Sequence, residues 1–264
     1  MTGLSGIWAM VLTDEQWSAL KGALDAVRSG TGRPLAEERR TIEGVIWRLR
    51  NGARWRAVPA EYGPWWRPAQ LHIRWSAAGL WERLFAHLRD AGRPELADIF
   101  MDGTVVRAHQ KAAGARGGRR ANALGRSRGG FSTKACAACD AAGRPLAFAL
   151  LPGQAAELRA APALLAVVAA LGTILRVVCD QAYSSAAWRA LIAALGAEPV
   201  VPAHPRHKSA PPHDRTAYRR RHKVENLWGR LKEWRAVATR YEKTAASYLG
   251  DLHLAAAFEW LALP

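Results

Sequence analysis

The sequence predicts an α/β fold with a mixed sheet, preceded by a small all-helical unit with a helix-turn-helix outline. Three observations carry this reading. Up to about residue 94, apolar residues recur at helical spacing. Beyond it, short apolar runs alternate with helical segments, the signature of a layered α/β core. Two of those runs end in an aspartate, the place where open α/β sheets carry their sites. The expected division is therefore 1–94 and 95–264, with no internal repeat in either part.

Taken in order, Thr13-Asp14-Glu15-Gln16 is a capping box that starts a helix ending near Arg28. A second helix follows Pro34, with Ile42, Val45, Ile46 and Leu49 at i, i+3, i+4 and i+7, and Asn51-Gly52 stops it. Two further helical stretches, Pro68 to Ala77 and Leu80 to Arg89, are separated by Ala78-Gly79 and give the helix-turn-helix outline. Trp47, Trp55, Trp65, Trp66, Trp75 and Trp81 crowd this half and read mostly as core anchors. The run Ala97 to Met101 ends in Asp102, and Val105-Val106 extends it as a strand. Phe131 to Cys139 and Pro145 to Leu151 are strands joined by the turn Asp140 to Gly143. Glu157 to Leu171 is helical, and Ile174 to Cys179 is a buried strand that ends in Asp180. Ser184 to Leu195 is helical and Pro199 to Val201 a short strand. Asp214 to Trp234 reads as one long basic helix, and Thr244 to Leu263 closes the chain as another.

The net charge of +16 is concentrated in two places. Arg107 to Lys134 holds eight basic residues and no acid, and Arg206 to Arg235 holds ten basic residues and three acids. A charge so confined is a footprint for a polyanion, nucleic acid first. Arg107, Arg126, Arg128 and Lys134 are the expected backbone contacts of the first window. Its glycine-rich stretch, Gly114 to Gly130, lacks the phosphate-loop spacing. It is expected to be a basic arm that orders on DNA and is otherwise the least ordered segment. The opening residues lack a signal-peptide pattern, and the longest uncharged run, Ala160 to Leu175, is too short to span a membrane. Three cysteines argue against a disulfide framework, so a cytoplasmic location is expected. Cys136 and Cys139, three apart on a strand, project to opposite faces and do not form half a zinc site. His204, His207 and His213 are scattered through a proline-rich loop.

Asp102 and Asp180 end apolar strands, and Glu225 is an acid on an otherwise basic helix. Tyr218, Arg221, Glu225 and Lys232 share one face of that helix by spacing. Alone, Glu225 reads as an ion-pair partner of Arg221 or Arg230. Three acids together fit a different chemistry: carboxylates are the preferred ligands of Mg²⁺, and two such ions clamp the attacking and leaving oxygens of a phosphodiester.

Ordered motifs in the chain resemble DDE transposases of bacterial insertion sequences, closest to the IS-five type within the IS-four superfamily. They are Asp102-Gly103-Thr104-Val105-Val106-Arg107-Ala108-His109, Gly125 to Lys134, Asp180-Gln181-Ala182-Tyr183, the Tyr218/Arg221/Glu225/Lys232 helix and its continuation Ala238-Thr239-Arg240-Tyr241-Glu242-Lys243. The first half joins in through Leu12 to Trp17, Gly52-Ala53-Arg54-Trp55-Arg56 and Tyr62-Gly63-Pro64-Trp65. The resemblance implies an RNase H-like catalytic core at 95–264. It makes Asp102, Asp180 and Glu225 the catalytic, metal-binding triad, with Mg²⁺ or Mn²⁺ bound as two ions. Tyr218, Arg221 and Lys232 are implied to orient DNA or the glutamate. The 45 residues from Asp180 to Glu225 leave no room for the inserted domain that some relatives carry there.

The implied activity is that of a DNA transposase. It binds the inverted repeats of an element through the 1–94 helices, hydrolyses phosphodiester bonds to free 3′ ends, and joins them to target DNA. Double-stranded DNA is the expected partner, with a homodimer or larger assembly on it, at the bacterial nucleoid and not at a membrane. Two rivals are a catalytically silent DNA-binding relic and an RNase H-like metal-dependent nuclease of repair or RNA processing.

Overall fold

The computed structural model describes residues 12–28, 35–127, 129–204 and 212–261. Among the described residues, four α-helices come first: α1 (Asp14–Val27), α2 (Glu38–Asn51), α3 (Trp66–Ala77) and α4 (Leu80–Ala91). Thr13 caps α1 as its sequence foretells, accepting from the Gln16 backbone while the Gln16 side chain accepts from its own. The α2 stripe Ile42, Val45, Ile46 and Leu49 is fully buried. The tryptophans divide by position. Trp47 and Trp81 are buried, whereas Trp65 and Trp66 are exposed, with Arg56 and Arg67 over their rings.

Strands β1 (Asp98–Ala108), β2 (Gly125–Ser127), β3 (Gly130–Cys139), β4 (Pro145–Pro152), β5 (Arg176–Cys179), β6 (Glu198–Val200) and the two-residue β7 (Thr239–Arg240) form one mixed sheet. Its main order is β4-β3-β1-β5-β6. The β1, β3 and β4 strands pair antiparallel as a meander, and β5 and β6 join parallel to β1. That half-antiparallel, half-parallel order is the arrangement of an RNase H-like core. The turn after β3 is fixed by Asp140, fully buried, whose carboxylate accepts from the backbone N–H groups of Glu95, Ala142 and Arg144.

Among the described residues, seven further α-helices follow: α5 (Gly118–Ala121), α6 (Ala161–Ala169), α7 (Ala186–Ala194), α8 (Arg215–Arg219), α9 (His222–Lys232), α10 (Arg235–Ala238) and α11 (Ala245–Trp260). Helix α9 packs on β1 and β3, and α6 packs on β3 and β4. Helix α11 is apolar nearly all round, as a helix enclosed on every side must be. It lies against α3, α4 and β4, and one hydrophobic cluster runs from Leu12 to Trp260. Among the described residues no helix is long and apolar enough to cross a membrane.

Two expectations are corrected. The basic helix of 214–234 is two helices, interrupted at Arg220-Arg221, where two side chains are drawn to different acids. The helix expected from Glu157 begins with a separate short turn, Glu157–Arg159, before α6. Within the glycine-rich stretch Asn122 to Gly125 are buried, the Asn122 amide donating to the Arg116 and Gly118 carbonyls, while Arg116 to Ala121 are exposed. Cys136, Cys139 and Cys179 are buried free thiols.

Candidate active site

The parallel pairing of β1 and β5 sets the centre of the site. Met101 is level with Cys179, so the next residues, Asp102 and Asp180, stand side by side where β5 ends. The Asp180 carboxylate accepts from the Ala182 backbone at 2.8 Å and caps the short turn Gln181–Tyr183. Burial pushes the Asp102 carboxyl up to about 6, the charges of Glu157 and Asp180 push the same way, and Arg221 opposes them. A largely buried carboxylate beside a second one is short of positive charge.

Arg221 supplies part of it. Its Nη1 lies 3.4 Å from Asp102 Oδ1, and its Nη2 pairs with Glu225 one helical turn on. Glu225 is half exposed and reaches Asp102 only through this guanidinium. Lys232, two turns further along α9, donates from Nζ to Thr104 Oγ1 at 2.7 Å, on the same face of β1 as Asp102. The start of α9 is anchored from below by Asp98, which is almost fully buried and pairs with Arg220 at 2.5 Å and Arg176 at 2.6 Å. Arg220 is therefore held to the base of β1 while Arg221 reaches its centre, and that opposed pull is the physical reason for the break between α8 and α9.

The structure thus gathers Asp102, Asp180, Glu225, Arg221 and Lys232 around the middle of β1, where β5 ends. Tyr218 sits on α8, edge-on to His213 at 5.3 Å between ring centroids. Lys134 is level with Val105, on the sheet face opposite Asp102, and pairs with Glu157 at 3.3 Å. Arg107 is exposed near the far end of β1, and Arg126 on β2 lies over the Phe131 ring at 5.0 Å. Arg128 lies outside the described residues.

Two acids had not been singled out from sequence. Glu157 packs against Gly103, where an added Cβ would come within 2.6 Å of its carboxyl carbon. Asp98 opens β1 and was legible only as the polar start of an apolar run. Among the described residues no three His, Cys, Asp or Glu side chains are clustered to hold a metal as they stand. The donor chemistry nevertheless fits a hard divalent cation: two adjacent carboxylates, one with its pKa raised by burial, and a third tethered by an arginine.

Residues 94–258 match the family model "Transposase DDE domain", and residues 12–85 match "Putative transposase of IS4/5 family". A "Putative transposase for insertion sequence element IS6501" of Brucella ovis is 36% identical over 132 residues, spanning 50% of this chain and 99% of that protein. An uncharacterized protein of Sinorhizobium fredii, y4sN, is 34% identical over 41% of this chain and 87% of its own. Among solved structures, a Mos1 transposase paired-end complex with the left transposon end aligns over 95% of this chain and 86% of that one, at 15% identity and a TM-score of 0.29.

Proposed function

Because the chain belongs to the transposase DDE domain family, we propose that it cuts DNA at the ends of an insertion sequence and joins the freed 3′ ends to target DNA. Asp102, Asp180 and Glu225 are the metal-binding carboxylates in this reading. The observation that supports it best is the side-by-side placement of Asp102 and Asp180 with Glu225 tethered above them.

Two bound Mg²⁺ or Mn²⁺ ions would ready a water or a 3′-hydroxyl and stabilise the leaving oxygen. The chain's own groups do the rest. Asp102 and Asp180 present oxygen donors from a rigid sheet, and burial of Asp102 makes a neutralising cation welcome there. Arg221 holds Glu225 and Asp102 together in the DNA-free protein. Lys232, fixed by Thr104, places a cation beside the site for a backbone phosphate. Arg126 and the α8–α9 arginines extend that positive surface. The 1–94 helices recognise the element ends in this reading, and paired ends require at least two copies.

The test is cleavage of DNA carrying the element's own ends, with Mg²⁺ or Mn²⁺, beside Asp180→Asn. Metal-dependent release of 3′ ends that vanishes in the variant is expected. Wild-type end binding with no cleavage under any metal would overturn the reading in favour of a silent relic.

A further inference from the structure

Two motifs that the cleavage site leaves unused, Gly52–Arg56 and Thr239–Lys243, meet at one cavity of about 1170 Å³. It opens at the far end of β1, where β7 pairs with Arg107 and Ala108. Asp102 is seven residues back along the strand from His109, or about 23 Å. The cavity is therefore separate from the carboxylates.

Its walls are held by buried contacts. Gly52 ends α2 at φ 59, and a Cβ there would meet the Arg235 side chain at 2.8 Å, so only glycine lets α2 end this close to α10 beside the cavity. Arg240 is fully buried and donates to the carbonyls of Glu242 and Lys243 at 3.1 and 3.3 Å, which fixes the backbone that presents Tyr241 and Lys243 outward. Arg48 pairs with Glu242 and Asp251 and lies 4.7 Å from the Trp55 ring centroid, holding that ring at the wall.

What these contacts present is aromatic and cationic. Tyr241 is 47% exposed and stacks on His109 at 5.2 Å, with 24° between the rings. Arg54, Arg56, Lys111 and Lys243 line the cavity, all exposed, and among the described residues none has a carboxylate partner. Glu242, its one acidic lining residue, is buried under Arg48.

Resting on the DNA-processing reading, we propose that this cavity is a second DNA subsite that seats an unpaired strand. Bases stack on the Tyr241–His109 pair, and phosphates lie along Arg54, Arg56, Lys111 and Lys243. Exposed ring faces take bases of any sequence, but only bases freed from a duplex can offer theirs. The volume exceeds the roughly 300–1,000 Å³ of small-molecule sites, which suits a run of nucleotides better than one.

Fluorescence anisotropy with a labelled single-stranded oligonucleotide, and with the same sequence as a blunt duplex, tests this. Tyr241→Ala should weaken strand binding about 5- to 150-fold while duplex binding holds, and Tyr241→Phe should retain strand binding. Arg54→Ala with Lys243→Ala should flatten the salt dependence for the strand by about 1.4 units of slope. Strand binding by Tyr241→Ala at the wild-type level, or an equal loss for strand and duplex, would overturn the subsite. Asp180→Asn should bind the strand normally. Cleavage that proceeds beside an inert cavity removes only the subsite, whereas strand binding at Tyr241 without any metal-dependent cleavage removes only the DNA-cutting reading.

Discussion

The Arg221 guanidinium stands 3.4 Å from Asp102 and at the same time grips Glu225, so one side chain ties α9 to the centre of β1. A cation in that place competes with any metal for the same two carboxylates. Arg221→Ala should therefore tighten Mn²⁺ binding to the DNA-free protein, on the order of tenfold, while lowering cleavage. Calorimetric titration with Mn²⁺ reads the affinity directly. Weaker binding in the variant would show that Arg221 helps the metal site and does not oppose it.

Asp98 is almost fully buried and takes two arginines from different elements. Both partners are partly exposed, so removing the acid leaves cations that water can still reach. Asp98→Asn should cost about 1–3 kcal/mol in a urea unfolding curve. It should also lower cleavage with DNA affinity kept, because Arg220 no longer fixes the start of α9. An unmoved urea midpoint would remove Asp98 from this role.

Gly103 lies between Asp102 and Thr104 with the Glu157 carboxyl packed against it. A methyl group there must displace Glu157 or bend β1, at about 1–3 kcal/mol. Adding Glu157→Ala to Gly103→Ala should recover part of that loss, since the clash is with this side chain. Thermal melts of the two singles and the double measure the coupling, and strict additivity would place the strain elsewhere.

His253 on α11 is buried against Phe85, stacked at 5.6 Å and 13°, and burial lowers its pKa to about 3. Unfolded, it takes up its proton near pH 6.5. Between those values the unfolded chain binds more protons than the folded one, so stability falls as pH drops below about 6.5, by about 2 kcal/mol at pH 5 from this group. His253→Phe should flatten that part of the stability–pH curve. Parallel curves for the two proteins would refute the assignment.

Much of the architecture was legible because it rests on local signals. The Thr13 capping box, the α2 stripe and the strands ending at Asp102 and Asp180 are periodic or capped features, and each lies where its residues put it. The break in the basic helix was not legible, because it is made by Asp98, more than a hundred residues away in sequence. Glu157 gave no signal for the same reason: its importance lies in a contact with Gly103 across the fold. Spacing placed Lys134 in a basic window, but strand alternation turns it to the face away from Asp102. Most of the tryptophans were read as core anchors, and Trp47, Trp55, Trp75 and Trp81 are; size alone did not mark Trp65 and Trp66 as the two that lie outside with arginines over them.

Helix α11 touches both the opening helices and β4. During synthesis the sheet and the N-terminal helices emerge first, each with an apolar face that this helix helps to cover. A nascent chain halted before Ala245 would expose Leu84, Phe85 and Phe148 to water and to chaperones. Sticky intermediates and degradation are what such a product meets, so the packed core closes only once α11 has been made.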